Sequence, residues 1–315
     1  MDKKYSLGID LGGTKIASCL CLNGEIIKKV VVPTNAEKGT ENIINTMIDA
    51  VKQAAEGYEL TKIEGIGIGA AGQINPETGE VIYAPNLGWN HVPLGEKLEQ
   101  ELKLPVKVLN DVRAATVAEQ KFGNGKGLAN FANIFVGTGV GSGFVMNGRL
   151  LNGSTNSAGE IGHICLDPNG PVCGCGKHGC LEAYSSGTGM ENYVKVQIKA
   201  GRETIIKDMI NGDVKNVHGP LIGKAADKGD KLAIEAIERV GFYLGLTIAN
   251  IHTLLNPDIV LLGGGMMALS KYFMPILEET MHKHILPVAD KERKLIKEAK
   301  FTNDAVMLGG AAIFQ

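Results

Sequence analysis

Asp10-Leu11-Gly12-Gly13-Thr14-Lys15-Ile16, with Asn23-Gly24 behind it, returns later in the chain as Val136-Gly137-Thr138-Gly139-Val140, with Asn147-Gly148 behind it. Shifting the first copy by 124 positions lays Gly13-Thr14 on Gly137-Thr138 (137 minus 13), Ser18 on Ser142, and Asn23-Gly24 on Asn147-Gly148. In each copy an apolar run enters a Gly-Thr loop and a second apolar run leaves it. The Asn-Gly pair then reverses the chain, as a tight hairpin requires. Two halves of like construction follow, each opening with strand, loop, strand and hairpin.

Strands are expected near 4–10, 16–22 and 25–32, over 63–69 and 105–109, and again at 134–136, 144–146, 149–151, 259–262 and 295–301. Helical periodicity covers about 40–56, from Pro93 to near Lys103, 113–122, 190–200, 231–255, a stretch after Gly265, and 304–314. This alternation makes an α/β protein with mixed sheets. No low-complexity linker interrupts it, so two domains sharing a cleft are expected, divided as 1–113 with 302–315, and 114–301.

A chain of 315 residues at 44% hydrophobic content suffices for two proper cores. The net charge of -2 and scattered lysines supply no basic stripe, which argues against a nucleic-acid partner. The run Ile259 to Leu269 is short and broken by three glycines, so no membrane span is expected. Lysines at 3 and 4 are followed by Asp10 and glycines and not by an apolar segment, which argues against a secretory signal and for the cytoplasm. Cys19 and Cys21, two apart in a strand, are too local for a useful disulfide.

The two loops are candidate phosphate sites. Consecutive backbone N–H groups of Gly12 and Gly13, or of Gly137, Thr138, Gly139 and Gly141, form a concave donor surface. Thr14 and Lys15 add side-chain contacts to phosphate oxygens. One such loop has an ordinary geometric explanation, whereas two in register suggest a polyphosphate gripped from both halves. Asp10, ending the strand beside the first loop, suits a phosphate-bound Mg2+ held through water, or serves as a turn cap. Gly263-Gly264-Gly265 follows a buried strand and precedes a helix, a common nucleotide contact that close packing explains as well. Beside the other loops it becomes the candidate for the adenosine end.

A different chemistry lies between Glu160 and Glu182. Cys173, Cys175 and Cys180 with one histidine complete a Cys3His set, which closes a tetrahedral Zn2+ site and leaves no position for a reacting water. The interleaved Gly174, Gly176 and Gly179 allow the tight backbone that such spacing demands. His163 and His178 compete for the fourth position. Glu160 and Glu182 flank the cluster, and a metal-bound histidine keeps a second ring nitrogen for a hydroxyl-bearing ligand. Asn110-Asp111, between a strand and a helix, reads equally as an N-cap or as a general base beside an orienting amide.

Together these motifs resemble the ROK family of bacterial sugar kinases and repressors, relatives of actin and hexokinase, from Gly8 to Phe314. The most specific matches are Glu160-Ile161-Gly162-His163 and the run from Cys173 to Glu182, with Asp10 to Lys15 and Gly137 to Gly143 matching the two phosphate motifs. The resemblance implies a two-domain actin-like, ribonuclease H-like ATPase fold. It also implies ATP- and Mg2+-dependent phosphorylation of a hexose, glucose foremost, at its 6-hydroxyl. By motif position Asp111 would be the general base; Asn110, Glu160, His163 and Glu182 would bind sugar hydroxyls; Gly72 and Asn86 would line the sugar pocket. His163, Cys173, Cys175 and Cys180 would hold a structural Zn2+. Relatives are often dimers or tetramers, so a homo-oligomer is expected. N-acetylmannosamine, N-acetylglucosamine and fructose are alternative acceptors within the same family. A sugar-sensing repressor would need a DNA-binding segment ahead of the first strand, and an ATPase of the actin or chaperone type would not need the cysteine cluster.

Overall fold

A computed structural model of the chain describes residues 5–290 and 294–315. The lysines at 3 and 4, with the start expected for the first strand, lie outside the described residues. Two compact units result. The first comprises the described residues of Met1–Asn133, Gly143–Gly159 and Ala299–Gln315, and the second Ile134–Ser142 with Glu160–Glu298.

The repeat read from the two loops is visible in the sheets. One five-stranded sheet runs in the order Glu25–Pro33, Lys15–Leu22, Tyr5–Leu11, Ile63–Ala70, Val106–Asn110. The other runs Arg149–Leu150, Val140–Met146, Phe131–Val136, Ile259–Gly263, Ile296–Glu298. Counted by appearance within its own sheet, each order is third, second, first, fourth, fifth. Both turns are built alike, with Asn23 and Gly24 at φ 52° and 82° and Asn147 and Gly148 at φ 52° and 73°. Left-handed values at both central residues match the right-handed twist of the flanking strands, which is why Asn-Gly stands there twice. A three-stranded antiparallel sheet, Gln73–Ile74, Val81–Ala84 and Trp89–Val92, was not expected.

In the first unit, alternation along Lys15–Leu22 sorts its side chains to two cores. Ile16 and Leu20 join Leu7, Ile9, Ile43, Met47 and Val51. Ala17, Cys19 and Cys21 join Ala118, Met307, Leu308 and Ala311 on the opposite face. Cys19 and Cys21 therefore act as small buried hydrophobes, and burial pushes the Cys19 thiol up to about 12. The helix Thr40–Ala55 buries Ile43, Ile44, Met47, Ile48 and Val51, one stripe of a 3.6-residue period.

The helix Ala305–Ala312 lies almost backbone to backbone on the strands beneath it. A methyl group added to Gly8 would fall 1.8 Å from the Met307 carbonyl oxygen, and one on Gly67 1.9 Å from that of Gly310. Gly309 meets the Ala114 carbonyl the same way, at 1.7 Å. Small residues thus carry the helix Asp111–Phe122 into the first unit, whereas the sequence reading opens the second domain at 114. Past that helix, the Gln315 side chain donates to Ser6 Oγ (2.8 Å) and the Cys21 carbonyl (3.0 Å) and accepts from the Gly24 N–H (3.1 Å).

The long helix Lys231–Leu255 matches its expected bounds, with Asp230 accepting from the Ala233 N–H at its start and Asn256 left-handed at its end. The helix Gly219–Asp227 was not foreseen, because Gly219-Pro220 reads as a break before it reads as a first turn. Leu295 to Phe301 shortens to the strand Ile296–Glu298. Among the described residues no helix is long and apolar enough to cross a membrane.

Candidate active site and metal centre

In the first unit, register places the acidic residues. Parallel pairing sets Asp10 opposite Gly69 and Ala70 opposite Asn110, so three strands end together. The open end of parallel strands is where α/β proteins collect ligands. Asn110 is both the last strand residue and the N-cap of Asp111–Phe122, its Oδ1 accepting from the N–H groups of Val112 (3.1 Å) and Arg113 (3.3 Å). Its amide donates to the Gly72 carbonyl at 3.3 Å. The capping and orienting readings of Asn110 are therefore the same geometry.

Asp111 accepts from the Val112 N–H at 2.8 Å. Burial raises its pKa, opposed by hydrogen bonds from the Val112 N–H, its own N–H and Asn110. Asp10 is raised to about 6, first by burial and then by the charge of Asp111, against the pull of Lys15. Two carboxylates thus share one corner, and a cation there would relieve both. Gly12 donates to the Lys15 carbonyl (3.0 Å), and its own carbonyl accepts from Thr34 Oγ1 (2.7 Å), closing the first loop on itself. Asn86 stands against that loop: a methyl on Gly13 would meet the Asn86 carbonyl at 3.2 Å. Asp10, Gly12, Gly13, Gly72, Asn86, Asn110 and Asp111 therefore form one constellation. Thr14 and Lys15 extend from its exposed side.

Sequence reading missed Arg113. It is buried to 2%, bonds Asn156 through Nη1, and donates from Nη2 to the Ala158 carbonyl at 2.7 Å. Asn156 in turn donates to the Ile74 carbonyl at 3.0 Å. An arginine two residues beyond the acid that opens the helix was the available signal.

In the second unit, the loop Gly137-Thr138-Gly139 is tied to a helix start. The Gly187 N–H donates to the Gly137 carbonyl (2.7 Å) and the Thr188 N–H to that of Thr138 (3.3 Å), while Ser186 caps the helix Gly187–Lys199 by accepting from Gly189 (2.9 Å). Gly141 sits inside the strand Val140–Met146 and not in the loop. A cavity of about 660 Å3 is lined by Gly137, Thr138, Glu191, Lys224, Gly265 and Met266 among others. Gly264, at φ 96°, brings the chain so close that a methyl there would lie 2.4 Å from the Val136 carbonyl. A 3-10 turn, Gly265–Leu269, intervenes before the expected helix, which begins at Ser270. Glu191 was another residue missed; it fixes the start of the helix Gly219–Asp227 by accepting from Gly219 at 2.8 Å.

The cysteine loop converges. One ligand atom from each of His163, Cys173, Cys175 and Cys180 lies within 4.8 Å of the others. Cys175 Sγ and Cys180 Sγ are 3.7 Å apart, and Cys173 Sγ is 3.8 Å from His163 Nδ1. Tetrahedral bonds of about 2.3 Å to sulfur and 2.0–2.1 Å to nitrogen require ligand separations of about 3.5–3.8 Å, so this donor set fits Zn2+. Burial pushes Cys173 up to about 12 and raises Cys180, while the Lys177 N–H lowers Cys175. A cation would favour the thiolates that burial opposes. His178 is engaged elsewhere, its Nδ1 3.0 Å from the Gly170 carbonyl oxygen. The choice between the two histidines falls to His163, through Nδ1.

Glu160 opens the 3-10 turn Ile161–His163, its carbonyl accepting from the His163 N–H at 3.0 Å. Glu182 is more deeply committed than its sequence position suggested. Its Oε2 accepts from the Val140 N–H at 2.9 Å, and Oε1 accepts from Cys173 Sγ at 3.5 Å. One carboxylate thus joins the cysteine loop to the strand leaving the Gly137-Thr138-Gly139 loop. A second cavity, about 460 Å3, has Thr138, Gly139, Cys173, Glu182 and Arg239 in its wall.

The profile of the ROK family matches residues 6–315. A glucokinase of Halalkalibacterium halodurans is 38% identical over 319 residues, covering 98% of this chain and 94% of its own. The crystal structure of a ROK family glucokinase from Streptomyces griseus, in complex with glucose and AMPPNP, is similar with a TM-score of 0.82 at 32% identity, covering 98% of each chain. A ROK family transcriptional regulator, a homologue of the Escherichia coli MLC protein, gives a TM-score of 0.86 at 30% identity over 99% of this chain and 78% of its own.

Proposed function

This chain belongs to the ROK family, and on that premise we propose that it is an ATP-dependent hexose kinase whose preferred acceptor is glucose, yielding glucose 6-phosphate and ADP. The observation that carries this reading is Asp111. It is a carboxylate of raised basicity, set by an N-cap at the shared end of three strands, in one constellation with a glycine loop and Asp10.

Phosphoryl transfer asks for positioning and charge stabilisation more than covalent chemistry. Asp111 takes the proton of the 6-hydroxyl as that oxygen attacks the γ-phosphorus. Asn110 orients neighbouring hydroxyls, with Glu160, His163 and Glu182 binding others and Gly72 and Asn86 lining the sugar site. The Gly12-Gly13-Thr14-Lys15 and Gly137-Thr138-Gly139 loops hold the phosphates, and Gly264 and Gly265 receive the adenosine end. Asp10 would hold a hydrated Mg2+, which screens phosphate charge when bound. Zn2+ on His163, Cys173, Cys175 and Cys180 would brace the loop that ends in Glu182. Such an enzyme works in the cytoplasm, as a dimer or tetramer, without nucleic acid.

The test is ADP formation measured by a coupled assay with glucose, mannose, fructose, N-acetylglucosamine and N-acetylmannosamine in turn. Glucose is expected to give the highest kcat/KM. ADP formation that proceeds equally without any sugar would sink the reading in favour of a plain ATPase. A second reading, a sugar-sensing regulator, draws on the likeness to the transcriptional regulator. Operator binding without sugar phosphorylation would establish it instead.

A further inference from the structure

The loop that carries these ligands contains a fourth cysteine that the ligand set does not use. Cys165 is exposed, and its Sγ lies 3.6 Å from the His178 carbonyl oxygen. It stands opposite Cys180 in an isolated antiparallel bridge. The flanking bonds are Leu166 N–H to Gly179 carbonyl (2.8 Å) and Leu181 N–H to Ile164 carbonyl (3.0 Å). That pattern makes Cys165 and Cys180 a pair that exchanges no hydrogen bonds of its own. Facing Cα atoms at such a position are about 4.5 Å apart, with side chains on one face. Disulfides span about 4.4–6.8 Å between Cα atoms, so the backbone already satisfies the bridge.

We propose that Cys165 and Cys180 form an oxidation site that closes to a disulfide and removes Cys180 from the metal. The oxidant is a hydroperoxide, which meets the exposed Cys165 before the buried Cys180. The Cys165 sulfur takes one peroxide oxygen, forming S–O as O–O breaks, and leaves a sulfenic acid with water or an alcohol. The Cys180 thiolate attacks that sulfur, the S–S bond forms, and the hydroxyl departs with a solvent proton as water. Two thiols are thereby oxidised by two electrons and one peroxide is reduced. A small dithiol reverses the step by exchange.

Only the effect on hexose rests on the proposed kinase reading: with Cys180 withdrawn, the loop carrying Glu182 loses its brace. The disulfide itself rests on the bridge. The rival product joins Cys175 to Cys180, whose sulfurs are 3.7 Å apart.

Zinc-loaded full-length chain is treated with hydrogen peroxide, zinc release is followed with a chromogenic chelator, and unreduced peptides are mapped by mass spectrometry. The expected result is a peptide linking Cys165 to Cys180, with zinc release that dithiothreitol and added zinc reverse. Cys165→Ser is expected to keep its zinc and its basal kinase activity, and to release zinc about tenfold more slowly under peroxide. A link from Cys175 to Cys180 with unchanged release in Cys165→Ser overturns the proposal. A Cys165–Cys180 link in protein that binds no zinc would support the pair and count against the metal alone. Linkage with unaltered hexose phosphorylation would count against the kinase role of the loop, not against the site.

Discussion

The two Gly-Thr loops occupy the same place in sheets of the same strand order, yet they are held by different means. Gly12 to Lys15 closes on its own backbone and on Thr34, with Asp10 and Asp111 beside it. Gly137 to Gly139 is fastened outward, to the start of the helix Gly187–Lys199 and, through Val140, to Glu182 of the cysteine loop. The two copies share a backbone frame and differ in the side chains that hold it. The first copy has the two raised carboxylates beside it, and the second is tied to the residues proposed to hold ligand and metal. Changes in the first copy should therefore fall on turnover, and changes in the second on affinity.

The hardest blow to that division would come from Asp111→Asn. It should lower kcat by about 10²–10⁴-fold while glucose and ATP binding persist, since a positioned general base contributes that much. Near-normal turnover, measured against calorimetric affinities, would move the chemistry out of the first copy.

Next in size is removal of the proposed Zn2+. Chelation, with zinc content measured in parallel, should weaken hexose binding by about 10–100-fold and ATP binding much less, because the support of a binding residue is lost. Equal losses would mean that the metal merely holds the second unit together.

Gly264→Ala probes the adenosine end. An alanine there must leave a glycine-only conformation and move away from the Val136 carbonyl, a strain of about 1–3 kcal/mol. The KM for ATP should rise by about tenfold with kcat nearly kept. An unchanged KM for ATP would remove Gly264 and Gly265 from the nucleotide site.

The smallest effect concerns pH. Asp10 titrates at about 6 in the fold against 3.8 without it. A raised carboxylate favours the protonated folded state, so stability should fall as pH climbs from about 4 to 6, by about 1–2 kcal/mol after allowing for partial exposure. Asp10→Asn should flatten that slope in thermal melts taken between pH 4 and 7. A slope that survives the substitution would assign it to Asp111 or another acid.

Much of this contrast was legible in the chain. Asn23-Gly24 and Asn147-Gly148 announce two hairpins because few other pairs accept two left-handed residues in a row. Cys173, Cys175 and Cys180 announce their cluster because closely spaced thiols among glycines have few other uses. What stayed hidden depends on distant partners. That Glu182 accepts from Val140, 42 residues away, follows from tertiary packing and not from any local pattern. The buried role of Arg113 likewise waits on Asn156 and Ala158. Gly219-Pro220 hid a helix because the same pair also suits a loop. Gln73 to Val92 hid a small sheet because its strands are too short to show alternation.

The packing of the helix Ala305–Ala312 against Gly8 and Gly67 has a consequence for synthesis. Its glycine contacts fill one face of strands made at the opposite end of the chain, and Gln315 then grips Ser6, Cys21 and Gly24. On the ribosome the first sheet must wait, half covered, until residues 305–315 emerge. The second unit, Ile134–Ser142 with Glu160–Glu298, has its last strand, Ile296–Glu298, before that helix is made. The half of the molecule that begins first is thus the half that finishes last, and its exposed apolar face is the one a chaperone would find during translation.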